Sequence, residues 1–147
     1  MKTGMTMMKI DWTFKGDSDI NLHIDITDKI ALFWDNSGTG KTFMFHMLES
    51  YFVANGITYR KFDYNVENQD IEWIKRGLQK ADIILLDNAD LYMTRELFEY
   101  LKSSGKQVII SIKHTENLGS FENCGFYSVR YDGKIMRTVR EDCGLVT

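Results

Sequence analysis

The sequence predicts an α/β fold: a mainly parallel central sheet with helices on both faces, and a β-hairpin near each end of the chain. Three observations carry this. Ile30-Ala31-Leu32-Phe33-Trp34, Ile83-Ile84-Leu85-Leu86 and Val108 to Ile112 are short, continuously apolar runs, the pattern of strands covered on both faces. Amphipathic helical stretches separate them, which argues for parallel crossovers. Alternating apolar and polar segments stand before the first run and after the last, the period of half-buried hairpin strands.

The elements follow in order. Met8, Ile10, Trp12 and Phe14 alternate with polar neighbours, Lys15 to Asp19 forms a turn, and Ile20, Leu22, Ile24 and Ile26 alternate again. This is the opening hairpin. The first apolar run then leads through a glycine-bearing loop into a helix over about 41–55, with Phe45, Leu48 and Phe52 on one stripe and Gly56 at its end. Residues 57–62 form a more polar strand near a sheet edge. A short helix over 71–79 aligns Ile71, Ile74 and Leu78, and the second run ends at Asp87. A helix over about 94–104 turns Leu97, Phe98 and Leu101 inward. After the third run, Thr115 to Gly125 is the least regular stretch. Phe126–Tyr131 and Lys134–Arg140 then flank Asp132-Gly133, read as a two-residue hairpin turn.

A chain of 147 residues suits one domain, so residues 1–147 are read as a single unit. Hydrophobic residues at 44% and charged residues at 27% argue against disorder. A net charge of -3 gives no general reason to expect nucleic acid as partner. No apolar run approaches the ~20 residues a bilayer span needs, so membrane insertion is not expected. Cys124 and Cys143 are too few for a disulfide scaffold, and no His/Cys spacing suggests a metal cage. The expectation is a reduced, cytoplasmic protein.

The most informative residues are Asp35-Asn36-Ser37-Gly38-Thr39-Gly40-Lys41-Thr42, set between an apolar strand and a helix. Glycines let the backbone curl so that successive N–H groups of Asn36, Ser37, Gly38, Thr39 and Gly40 face phosphate oxygens. The helix start adds partial positive charge. Lys41 can reach the β- and γ-phosphates, and the Thr42 hydroxyl can bind Mg²⁺. The stretch matches the P-loop, or Walker A, motif, except that its first glycine is Asp35. Ile83 to Leu86 followed by Asp87 has the form of a Walker B strand. Parallel strands point their C-terminal ends the same way, which puts Asp87 beside the loop.

On these two motifs the sequence resembles the P-loop nucleoside triphosphatases over most of its length, and within them the additional-strand branch of AAA-type and ABC-type ATPases. The resemblance implies a three-layer α/β/α fold that binds ATP or GTP with Mg²⁺, held by Thr42 and Asp87. It also implies hydrolysis of the γ-phosphate, with Lys41 neutralising its charge. In that branch a water-activating glutamate usually follows the Walker B aspartate. Here Asn88 stands in its place, and an amide can orient water but cannot take its proton. Nucleotide binding is therefore better supported than fast turnover. A non-catalytic module, in which nucleotide orders a surface for a protein partner or a second copy, is the alternative. A small-molecule phosphotransferase is a third reading, weakened because the one candidate lid, Thr115 to Gly125, lacks arginine. Other ABC-type features are absent, including a Ser-Gly-Gly segment before Asp87.

Weaker candidates surround these. Asp90 or Glu96 could replace the missing base, though a solvated or capping acid is the plainer reading of each. Ser111, Lys113 or His114, near the tip of the third run, could sense the γ-phosphate by analogy with the branch. Arg130 and Arg137 share a face of the last hairpin and Arg140 lies on the other; sheet-edge solvation is the plainer reading of all three. Trp12, Trp34 and Trp73 read as packing residues rather than a base-stacking platform. The sequence carries no local signature for the nucleobase pocket.

Overall fold

The structure is a computed structural model, and it describes residues 8–16, 19–34, 40–63 and 71–141. Its elements are β1 (Met8–Phe14), β2 (Ile20–Ile26), β3 (Ile30–Phe33), α1 (Lys41–Ala54), β4 (Tyr59–Phe62), α2 (Ile71–Leu78), β5 (Ile83–Leu86), a 3-10 turn (Ala89–Leu91), α3 (Arg95–Ser103), β6 (Gln107–Ser111), β7 (Cys124–Tyr131) and β8 (Ile135–Glu141). The strands form one sheet in the order β1-β2-β8-β7-β3-β6-β5-β4.

The sheet is mixed, which corrects the expectation of a mainly parallel one. Parallel pairing joins β7, β3, β6, β5 and β4. The rest is built from two antiparallel hairpins, β1–β2 and β7–β8. These are not appendages to a parallel core. Strand β8 folds back along β7 and presents its other edge to β2, which pairs with it in parallel through Asn21↔Ile135, Leu22↔Met136 and His23↔Arg137. The first and last hairpins thus build one half of the sheet together.

The last hairpin also differs from the two-residue turn expected. Tyr131 pairs with Met136 and β8 starts at Ile135, so three residues, 132–134, join the strands. The reason is Asp132. Its carboxylate accepts the N–H groups of Lys134 and Ile135 at 2.9 and 2.8 Å, which stabilises the wider turn, and Gly133 supplies the positive φ of 96° within it. Strand β7 begins at Cys124 rather than Phe126 because its pairing with β3 starts at Ile30↔Cys124.

Alternation in the central strands divides the core between two faces. Ala31, Phe33, Leu85 and Ile109 pack with Met44, Phe45, Leu48 and Phe52 of α1, together with Ile10, Leu22, Ile24 and Ile26 from the first hairpin. Ile30, Leu32, Ile84, Leu86, Val108 and Ile110 pack on the other face with Ile74 and Leu78 of α2 and Leu97, Phe98 and Leu101 of α3. Helix α3 starts where Thr94 Oγ1 accepts the Leu97 N–H, a side-chain cap on an otherwise orphan donor. Among the described residues no helix is long and apolar enough to cross a membrane.

Candidate functional site

The site lies at the C-terminal ends of β5 and β6 and the start of α1. Asp35, Asn36, Ser37, Gly38 and Thr39, all but the first named above as phosphate-cradling residues, lie outside the described residues. The described site begins at Gly40, the N-cap of α1, with φ 96° and ψ 12°. That left-handed conformation suits glycine and would strain a side chain. The Gly40 carbonyl accepts the Met44 N–H at 2.8 Å, which closes the first helical turn. The amides of Lys41 and Thr42 precede any intrahelical acceptor. No acidic residue stands in this turn, so the positive end of the helix dipole is not offset by its own side chains.

Asp87 follows β5 directly. Its N–H donates to the Phe62 carbonyl at 2.8 Å, continuing the β4–β5 pairing by one step. The Tyr92 hydroxyl donates to the Asp87 carbonyl at 2.6 Å and lies 3.1 Å from the Phe62 carbonyl, tying the tips of the two strands to the 3-10 turn. Asp87 is only 3% exposed, and its carboxylate accepts the Asn88 N–H at 2.9 Å. Burial raises its pKa above the ordinary aspartate value, and the nearby Asp63 charge adds to this; the Asn88 hydrogen bond and the charges of Lys61 and Lys41 oppose it without reversing it.

A cleft of about 280 Å³ gathers Gly40, Lys41, Thr42 and Phe43 from the start of α1, Asp87, Asn88 and Asp90 from beyond β5, and Ser111 and Lys113 from the end of β6. Sheet order explains the meeting. Strand β6 lies between β3 and β5, so its tip stands between the strand feeding the glycine loop and the strand bearing Asp87. Lys41 is itself 7% exposed. Its charge lowers the Asp87 pKa, which places it within electrostatic reach of that carboxylate.

Asn88 has φ 50° and ψ 44°, a left-handed conformation that asparagine tolerates far better than glutamate. The backbone thus gives a physical reason for the residue type at this position. Asp90 is not poised as a free base. Its carboxylate accepts the N–H groups of Lys113 (2.9 and 3.2 Å) and His114 (2.8 Å), anchoring the loop after β6 beside the cleft.

Other candidates lie elsewhere. His114 is exposed and does not line the cleft. Glu96, in the first turn of α3, faces Lys75 at 3.9 Å. Arg130 sits opposite Arg137 and pairs with Glu141 at 3.6 Å, while Arg140 is committed to Asp28. The irregular stretch read as a lid is docked on α3: Leu118 joins its core, and the Lys102 ammonium donates to the Ser120 carbonyl at 2.7 Å. Cys124 has its pKa pushed up to about 11, chiefly by burial, which leaves it a weak nucleophile at neutral pH. Cys143 lies outside the described residues. Phe43 went unnoticed in the sequence; the signal was its place one residue past Lys41-Thr42, off the buried stripe of the helix.

Neither protein-family models nor curated proteins give a match to this chain.

Proposed function

We propose that this chain binds a nucleoside triphosphate, ATP or GTP, with Mg²⁺ in the cleft at the start of α1, as a small P-loop protein of the additional-strand type. One observation carries the reading. The glycine-capped helix start with Lys41 and Thr42 opens into the same cleft as the buried Asp87, with Ser111 of the intervening β6 between them. Helices on opposite faces of the central strands are compatible with a three-layer arrangement around that site.

In this reading the amides from Asn36 to Thr42 cradle the phosphates and Lys41 neutralises γ-phosphate charge. The donor set suits Mg²⁺: the Thr42 hydroxyl and Asp87 carboxylate are hard oxygen ligands sharing one cleft, and the metal customarily takes one or two carboxylates plus phosphate oxygens. When bound, the ion would supply positive charge at the β- and γ-phosphates. Asn88 lines the cleft and can orient water but cannot accept its proton, so hydrolysis runs about 10²–10⁴-fold below a site with a base. Ser111 and Lys113 are the groups in reach of a γ-phosphate.

The second reading, a binding module in which nucleotide orders a docking surface for a partner or a second copy, is favoured by the same asparagine. Phosphate release from Mg-ATP by the native chain, Lys41→Ala and Asn88→Glu separates them. Slow release abolished by Lys41→Ala supports a triphosphatase. Tight binding without release supports the module. Absence of nucleotide binding by the native chain would sink both.

A further inference from the structure

Two aromatic rings stand half out of the core beside this cleft, one in its lining and the other packed against the first. Phe43 lines it one residue beyond Thr42. Its ring centroid lies 5.5 Å from that of Tyr131, at the end of β7, with the planes 55° apart. Phe43 is 39% exposed and Tyr131 40%. The core does not demand either ring, since α1 already buries Met44, Phe45, Leu48 and Phe52. Their relative position is fixed from below. A Cβ on Gly40 would lie 3.5 Å from Met136 Cε, 3.9 Å from Val129 Cγ1 and 4.0 Å from Tyr131 Cβ. The residue that opens the helix therefore packs directly against the hairpin that carries Tyr131.

We propose that Phe43 and Tyr131 form the nucleobase platform of the cleft, so that the site distinguishes nucleoside triphosphates from bare polyphosphate while choosing only weakly between adenine and guanine. Two rings at this tilt offer a base one face to stack on and one edge to meet, the arrangements aromatic groups prefer. Stacking reads the π-face that every base has and leaves the hydrogen-bonding edges unread. Purines, with the larger face, gain more than pyrimidines. The inference rests on the phosphate-site reading above and goes further by naming what recognises the rest of the ligand.

The test is equilibrium binding to the full chain, in Mg²⁺, of ATP, GTP, CTP and inorganic tripolyphosphate. ATP and GTP should bind within about threefold of each other, CTP more weakly, and tripolyphosphate roughly ten- to a hundredfold more weakly than ATP. Phe43→Ala and Tyr131→Ala should pull ATP down towards tripolyphosphate and leave tripolyphosphate unchanged. Tyr131→Phe, which keeps the ring, should retain native ATP affinity. Tripolyphosphate binding as tightly as ATP to the native chain overturns the platform and spares the phosphate site, and this comparison needs no variant to fold. Equal weakening of both ligands in the alanine variants, or no weakening of ATP, also overturns it. If neither ATP nor tripolyphosphate binds, the phosphate site falls and the platform with it.

Discussion

The two ends of the parallel strands treat their buried polar groups in opposite ways. At the N-terminal end, Asp28 accepts the Tyr127 hydroxyl at 2.6 Å and both Nε and Nη2 of Arg140 at 2.8 and 3.2 Å. Tyr127 Oη also accepts the Thr27 N–H, and Gln107 Nε2 donates to the carbonyls of Asp28 and Lys29. Gly125 leaves no space unused, since a Cβ there would strike the Asp28 carboxylate. At the C-terminal end, Asp87 is more deeply buried yet is held with its pKa raised, and its carboxylate accepts a hydrogen bond from the adjoining backbone. One end is a network that ties the strand starts together through side chains, with Gln107 Oε1 as its one buried atom lacking a hydrogen bond among the described residues. The other keeps a charged group in a costly position, the stored disadvantage that a bound cation would relieve.

The largest expected effect belongs to the C-terminal end. Lys41→Ala should weaken nucleotide binding by about 2–3 kcal/mol, roughly thirty- to a hundredfold in Kd, as loss of a hydrogen bond between charged groups predicts. Titration calorimetry reads it directly. Thermal stability without ligand should change much less than affinity, which sharpens the contrast between a functional and a structural charge.

The converse holds at the N-terminal end. Gly125→Ala should destabilise the fold by roughly 1–3 kcal/mol, the range for overpacking a filled site, because the Asp28 carboxylate cannot withdraw without releasing Tyr127 and Arg140. Chemical denaturation measures it. Nucleotide affinity of the folded fraction should stay at the native value; a parallel loss of affinity would show that the two ends are coupled rather than separate.

Asp87→Asn should do the reverse, stabilising the ligand-free chain by about 0.5–2 kcal/mol while removing the Mg²⁺ dependence of nucleotide binding. The sign follows from the raised pKa. The folded state holds the Asp87 proton more tightly than the unfolded chain does, so this group's penalty is absent at pH below its unfolded value and grows as pH rises through the folded one. Mg²⁺ needs the carboxylate, so metal-dependent affinity should fall on acidification, at a higher pH than an ordinary aspartate would give. Melting curves and nucleotide titrations across pH should therefore slope in opposite directions in the native chain, and neither should show this component in the variant.

The same contrast explains what was legible in the sequence. The apolar runs at Ile30, Ile83 and Val108 and the helical stripes depend on local periodicity, and each became the element expected, within a residue or two at its ends. That Thr42, Lys41 and Asp87 stand at the same end of the sheet was legible because parallel strands share a direction; that one strand alone separates them was not. The hairpin-to-hairpin seam was not legible. His23 and Arg137 meet across more than a hundred residues of chain, and nothing local in either marks the other as its partner. The partners of the Asp90 carboxylate were not legible either, because they are backbone amides after β6, placed by strand order rather than by any side-chain motif. Phe43 carried no helical-stripe signal, being the residue the stripe omits.

The smallest expected effect concerns Asn88, where backbone and chemistry make separable demands. Its left-handed conformation predicts that Asn88→Gly keeps native stability within about 0.5 kcal/mol, whereas Asn88→Ala costs roughly 1–2 kcal/mol. If the side chain orients water, both variants should lose any slow phosphate release to a similar degree despite that difference in stability. If the asparagine serves the turn alone, release should follow the folded fraction, unchanged in the glycine variant. Asn88→Glu should carry the alanine-like strain as well as its new carboxylate, so gain of hydrolysis in that variant must be read per folded molecule. The glycine variant is thus the cleaner measure of what the amide contributes, since at this position it alters the chemistry facing the cleft and leaves the backbone at ease.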